Sequence, residues 1–176
     1  MSWIAVVQFG DATGVLAGVY ERQAATLGRP TQLTMLGSLY PELAAIRSEL
    51  YDVVESCPSS LTPVERQAIA LVVTGALGSD FLTSGVRSKF IAVGGDDALA
   101  SDLTSGVFIG LPLKARALCS YALLVAVEPS SIQETDLEAC RAVGASDLDI
   151  LDANSLASYY AYLARVCLGL GLHSPV

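Results

Sequence analysis

The sequence predicts an all-α fold, a single domain over residues 1–176 built as a bundle of about eight helices. Three observations predict it. Apolar residues recur at helical spacing, and no stretch alternates with the period of two that a strand requires. Capping residues repeatedly stand just ahead of the apolar segments. No proline-, serine- or glycine-rich linker divides the chain.

The elements follow in order. Asp11 is placed to cap a first helix carrying Val15, Val19 and Leu27, which Gly28 stops before Arg29-Pro30. Pro41 opens a second long helix with Leu43, Ile46, Leu50 and Val53 on one face. Thr62-Pro63-Val64-Glu65 reads as a capping box with proline at the first helical position. It launches a buried helix through Ile69, Val73 and Leu77 that Gly78 ends. Ser79-Asp80 is placed to cap the next helix, running toward Val93, and Asp96 a short one with Leu99 and Leu103. Pro112 starts a strongly apolar helix through Leu118, Ala122 and Val125, ending before Glu128-Pro129. A polar stretch from Ser130 to Thr135 leads into a helix closed by Gly144. Ser146 and Asp149 then open the last helix, through Ile150, Asn154, Ala157, Ala161 and Ala164, with Gly169 and Gly171 at its end.

Composition narrows the function. The 176 residues suffice for a real core, and 52% hydrophobic against 16% charged residues argue against disorder. So apolar a chain is expected to cover part of its surface by self-association or to enclose a pocket, and a homo-oligomer is expected over a monomer. Ten basic residues against 18 acidic give a net charge of −8, with no basic stripe to offset it, so nucleic acid and anionic membranes are not expected partners. The start, Ser2-Trp3-Ile4-Ala5, lacks the basic segment and long apolar core of a secretory signal, and the expected location is cytoplasmic.

No pattern indicates a metal, a flavin or a nucleotide, so no cofactor is expected. Gly94-Gly95 follows no strand. Cys57, Cys119, Cys140 and Cys167 form no CxxC pair and read as small core residues of a reducing compartment. The single histidine, His173, lies near the C-terminus, poorly placed for a zinc site or a catalytic triad.

Both halves of the chain carry a resemblance. The first half holds Tyr40-Pro41-Glu42-Leu43 and then the segment from Leu61 to Val73; the second holds Pro129, the helix from Thr135 to Gly144, and the segment from Ala164 to Leu172. In this order they resemble the alkylhydroperoxidase-like, or carboxymuconolactone decarboxylase, superfamily, in its peroxidase-related branch, over nearly the whole chain. The resemblance implies a helical fold and a position-by-position site. Redox-active members place a glutamate ahead of a Cys-x-x-Cys-x-x-x-His motif at a helix start, where the helix N-terminus lowers a thiol pKa and the histidine and glutamate relay protons. Here the glutamate position holds Gln67, the cysteine positions Ser79 and Leu82, and the histidine position Val86. Phe81 stands where the family has an aromatic residue or histidine, and the family's asparagine-arginine pair reads Ala164-Arg165. Serine makes no peroxidatic thiolate and leucine resolves no disulfide, so the usual thiol peroxidase chemistry is not expected.

Each candidate has a plain structural alternative. Gln67 is expected either to orient a substrate carbonyl or water or to cap a crevice between helices. Ser79 is a candidate nucleophile or hydrogen-bond donor, but with no histidine to activate it the N-cap role leads. Asp80 is a candidate acid or base, against the simpler role of a first-turn carboxylate favoured by the helix dipole. Phe81, Leu82 and Val86 are expected to line a dry pocket. Arg87 and Lys89 are candidates to clamp an anionic group at its mouth, against a solvated helix face. Of Tyr159, Tyr160 and Tyr162, at most two can face the pocket, and Tyr160 is the expected one.

Three functions follow. The first is a non-redox enzyme that decarboxylates, isomerises or cyclises an apolar organic substrate, conceivably in specialised metabolism. The second is a non-catalytic oligomeric subunit or ligand-binding module. The third, ranked last, is residual hydroperoxide reduction through the other cysteines.

Overall fold

The computed structural model describes residues 2–174. Nine α-helices and no strand occur among them. In chain order they are α1 (Gly14–Leu27), α2 (Gln32–Leu36), α3 (Pro41–Glu55), α4 (Pro63–Ala76), α5 (Asp80–Ala92), α6 (Asp97–Thr104), α7 (Leu113–Val127), α8 (Glu134–Ala142) and α9 (Asp147–Gly169). None of them is long and apolar enough to cross a membrane.

Helix α4 is the axis of the bundle. Its residues from Arg66 to Thr74 are all buried, and α5, α6, α7 and α9 pack around it. The predicted capping box starts it: the Thr62 hydroxyl accepts from the Glu65 N–H at 3.2 Å, and the Glu65 carboxylate accepts from the Thr62 N–H at 2.8 Å. Gly75 lets α6 approach closely, since a Cβ there would lie 2.5 Å from the Thr104 carbonyl oxygen. The 23-residue α9 starts with the same device, Ser146 and Asp149 bonding each other's backbone N–H.

Three local expectations are corrected. Asp11 caps nothing: it belongs to a 3₁₀ turn, Phe9–Asp11, and α1 begins three residues later behind Thr13. Ser79 stands at the N-cap of α5 without a side-chain capping bond, because its ψ of 81° departs from the extended backbone that aims a cap hydroxyl at the helix. The apolar face of α3 points outward. Leu43, Ile46, Leu50 and Val53 are 42–67% exposed, while Ala44, Arg47 and Val54 are buried against the rest of the fold. Helix α3 leans on α9, and α1 and α2 pack against α3, with a small core around Leu16, Tyr20 and Ala44.

A polar clasp joins the loop after α3 to α9. Arg66, 6% exposed, pairs with Asp152 at 2.7 Å and donates to the Cys57 carbonyl at 2.5 Å and the Val54 carbonyl at 3.3 Å. Ser59 donates to Asp152. Next to it, the Asp149 carboxylate accepts from the N–H and hydroxyl of Ser60 at 2.8–3.0 Å. Burial pushes the Asp149 carboxyl up, but the hydrogen bonds from Ser146 and Ser60 outweigh it and hold it at about 2, below the ordinary 3.8. The unfolded chain therefore takes up this proton first, so the contribution is present above about pH 4 and lost as the pH falls to about 2. Melting curves across that range are expected to show the wild type losing stability toward pH 2. Asp149→Asn should start lower at neutral pH and fall less; equal slopes would contradict this account.

Candidate active site

A cavity of about 730 Å³ opens between α3, α5 and α9 and is roofed by α1 and α2. Helix α5 lends it Phe81, Leu82, Val86 and Lys89; α9 lends Tyr159, Tyr160 and Leu163; α3 lends Ala44, Arg47 and Tyr51. Its size falls within the range of small-molecule sites, and its walls are mostly apolar. A second depression of about 600 Å³ lies between α7 and α9 beside Tyr121, Asn154 and Arg165; none of the candidate site residues borders it, although Arg165 of the Ala164-Arg165 pair does.

Phe81, Leu82, Val86 and Tyr160 thus meet on one cavity. Tyr159 joins them, while Tyr162 is 38% exposed. Arg87 points elsewhere, held to Asp97 at 2.7 Å and to Ser101 at 3.0 Å, where it ties α5 to α6. Asp80 is exposed and does not border the cavity. Ser79 is 1% exposed, and its hydroxyl has no hydrogen-bond partner among the described residues. Lys89 donates to the Tyr51 hydroxyl at 2.5 Å, so it stays at the cavity rim as the sequence suggested.

Behind the Tyr160 wall lies a group that the sequence did not single out. The Tyr160 hydroxyl donates to Glu55 Oε1 at 2.6 Å, and the Gln67 amide donates to Glu55 Oε2 at 3.0 Å. A carboxylate therefore does stand beside position 67, supplied by α3 rather than α4. Gln67 orients it, and Tyr160 links it to the cavity. Only the NH₂ of an amide can serve a carboxylate, which leaves Gln67 Oε1 buried and without a partner. Burial, then the Glu55 charge, push the Tyr160 phenol far above its ordinary 10.0, so it stays a neutral donor. Burial likewise raises Tyr159, with Arg47 pulling the other way. The Tyr159 hydroxyl donates to the Arg47 carbonyl at 3.1 Å and locks α9 to α3 beside the pair.

A clue to Glu55 existed in the sequence. It is the last residue of α3, and a carboxylate in the final turn opposes the helix dipole. A residue that breaks a local rule without local compensation is a site candidate.

The buried cysteines are poorly suited to redox work. Burial pushes the Cys119 thiol up to about 12 and Cys167 to about 11, far from the thiolate range.

With this geometry in view, comparison with solved structures decides the fold. A peroxidase-related protein from Ralstonia eutropha JMP134 with an alkylhydroperoxidase AhpD core superposes with a TM-score of 0.90, over 99% of this chain and 92% of its own, at 16% identity. The chain has the alkylhydroperoxidase-like fold. A peroxidase-related protein from Silicibacter sp. TM1040 has a TM-score of 0.81 at 20% identity, over 88% of this chain and 82% of its own. The debrominase Bmp8 in complex with 2,3,4-tribromopyrrole has a TM-score of 0.80 at 14% identity, over 96% of this chain and 89% of its own. Neither a family model nor a curated protein matches the sequence. On this alkylhydroperoxidase-like scaffold the positions of Ser79, Leu82 and Val86 fall at the start of α5, with Leu82 and Val86 on the cavity wall.

Proposed function

We propose that the chain is a thiol-independent enzyme acting on a small apolar organic molecule in this cavity, with Tyr160 and Glu55 moving the proton. The single observation that carries the reading is the 2.6 Å bond from the Tyr160 hydroxyl, on the cavity wall, to a carboxylate behind it. Isomerisation and proton-coupled cyclisation move a proton from one substrate atom to another, and decarboxylation needs one delivered to the carbon that loses CO₂, with water restoring the donor; this pair is placed for either task. The Tyr160 oxygen takes the substrate's proton as its own passes to Glu55; the pair then exchanges protons with water, and reversal of both transfers returns a solvent-derived proton to a different substrate atom. Gln67 and the apolar wall of Leu82 and Val86 serve position and dryness. A debrominase of the same fold holds 2,3,4-tribromopyrrole, which supports a small organic ligand for this scaffold. The test is a screen of apolar organic compounds for conversion, followed by mass spectrometry, in wild type, Tyr160→Phe and Glu55→Gln. Conversion that disappears in both variants supports the reading; retained binding with no conversion by any protein leaves a ligand-binding subunit instead.

The protein is also proposed to work as a homo-oligomer. Leu43, Ile46, Leu50 and Val53 follow the 3-4-3 spacing of a helix seam, and they stand 42–67% exposed on α3. Such a face matches a second copy of itself about a twofold axis. In light scattering the wild type should exceed the mass of one chain, and Ile46→Glu with Leu50→Glu should reduce it to one chain. A monomeric wild type would contradict the proposal.

A further inference from the structure

We infer that the ligand of this cavity is an organic acid, with an apolar body and one carboxylate that pairs with the Arg47 guanidinium. The inference deepens the proposed function and rests on its reading of the cavity as a substrate site. Arg47 borders the cavity and is only 7% exposed. Its one side-chain hydrogen bond runs from Nη2 to the Leu33 carbonyl at 2.5 Å. A guanidinium carries five N–H donors, so four remain without a protein acceptor among the described residues. No carboxylate among those residues lies within ion-pair distance of it, whereas the other buried arginine, Arg66, pairs with Asp152. The free Arg47 nitrogens are not sealed in the core but open on the cavity, where an anion can reach them.

The surroundings agree. Gly37 leaves room for the guanidinium: a Cβ there would stand 3.0 Å from Arg47 Nη2. Among the described residues Arg22, Arg47 and Lys89 border the cavity against one carboxylate, Asp52, in a chain whose net charge is −8. Among the described residues this apolar-walled cavity is thus locally cationic in an acidic protein, which draws in small anions. Arg47 therefore takes the anion-clamping role that the sequence suggested for Arg87, and the planar fork suits a carboxylate. The apolar remainder of the acid meets Phe81, Leu82, Val86 and Leu163, and reaches Tyr160.

Isothermal titration of the wild type with 2-naphthoate and octanoate, each against its neutral alcohol, tests this directly. At least one acid should bind about tenfold or more tightly than its alcohol, the discrimination expected of a desolvated charge-assisted bond. Arg47→Met should remove the preference and Arg47→Lys should keep part of it. Equal binding of acid and alcohol, or no binding of either acid, overturns the inference on wild-type data alone, whatever the variants do. Assaying conversion in Tyr160→Phe beside acid preference in the wild type separates the two readings. Lost acid preference with Tyr160-dependent conversion sinks the ligand class only; a kept preference with Tyr160-independent conversion sinks the proton-transfer role only.

Discussion

Replacing Asp152 by alanine should destabilise the protein by about 3–5 kcal/mol, because it leaves the Arg66 charge buried and unpaired. Arg66 would keep only neutral acceptors, the carbonyls of Val54 and Cys57 and the Ser59 hydroxyl. For a chain of this length that loss lowers the melting temperature by roughly 6–20 °C. The cost is that of a stranded charge and not the worth of the pair, so Arg66→Met combined with Asp152→Leu should recover most of it. A fall of less than about 1 kcal/mol for Asp152→Ala, read by denaturant unfolding, would show that water reaches Arg66 and that the clasp is not dry. The clasp also serves the site. It anchors the loop after α3, whose last helical residue is Glu55, so Asp152→Ala should loosen the carboxylate that Tyr160 addresses.

Tyr160→Phe and Glu55→Gln should each lower conversion by about 10²–10⁴-fold, the usual yield of a positioned acid or base. Phenylalanine keeps the ring that walls the cavity and removes only the proton. Glutamine keeps the length of Glu55 and removes its charge, so neither change should alter the melting temperature much. The two losses should not add, since both groups act on one proton; the double variant should resemble either single one. Ser79→Ala should leave conversion unchanged, because that hydroxyl is buried off the cavity wall. Additive losses would mean that Tyr160 and Glu55 act on different steps.

The strongest local signals in the sequence were its most legible part. Thr62 with Glu65 and Ser146 with Asp149 form the expected capping boxes, and Gly28 ends α1 with a φ of 77°. Helix α2 was invisible because five residues carry no periodicity to read. The orientation of α3 was equally hidden. Its leucines and isoleucine mark a face, but neighbours decide which face turns inward, and there Arg47 and Ala44 won. Leu82 and Val86, picked out by the resemblance, and Tyr160, picked out from the tyrosines of the last helix, border the cavity, yet none of them could reveal Glu55, since that carboxylate reaches the site from another helix. Nothing in the sequence marks Arg47, since its burial depends on the packing of α2 over α3.

Tyr160 and Glu55 are proposed to transfer a proton to an organic acid held in the cavity. Incubating a panel of apolar unsaturated acids with the protein in D₂O, and reading deuterium in the recovered acid or product by mass spectrometry, tests it most directly. The account predicts carbon-bound deuterium with the wild type and none above background with Tyr160→Phe. Incorporation that persists undiminished in Tyr160→Phe, or its absence with the wild type across the whole panel, would contradict it.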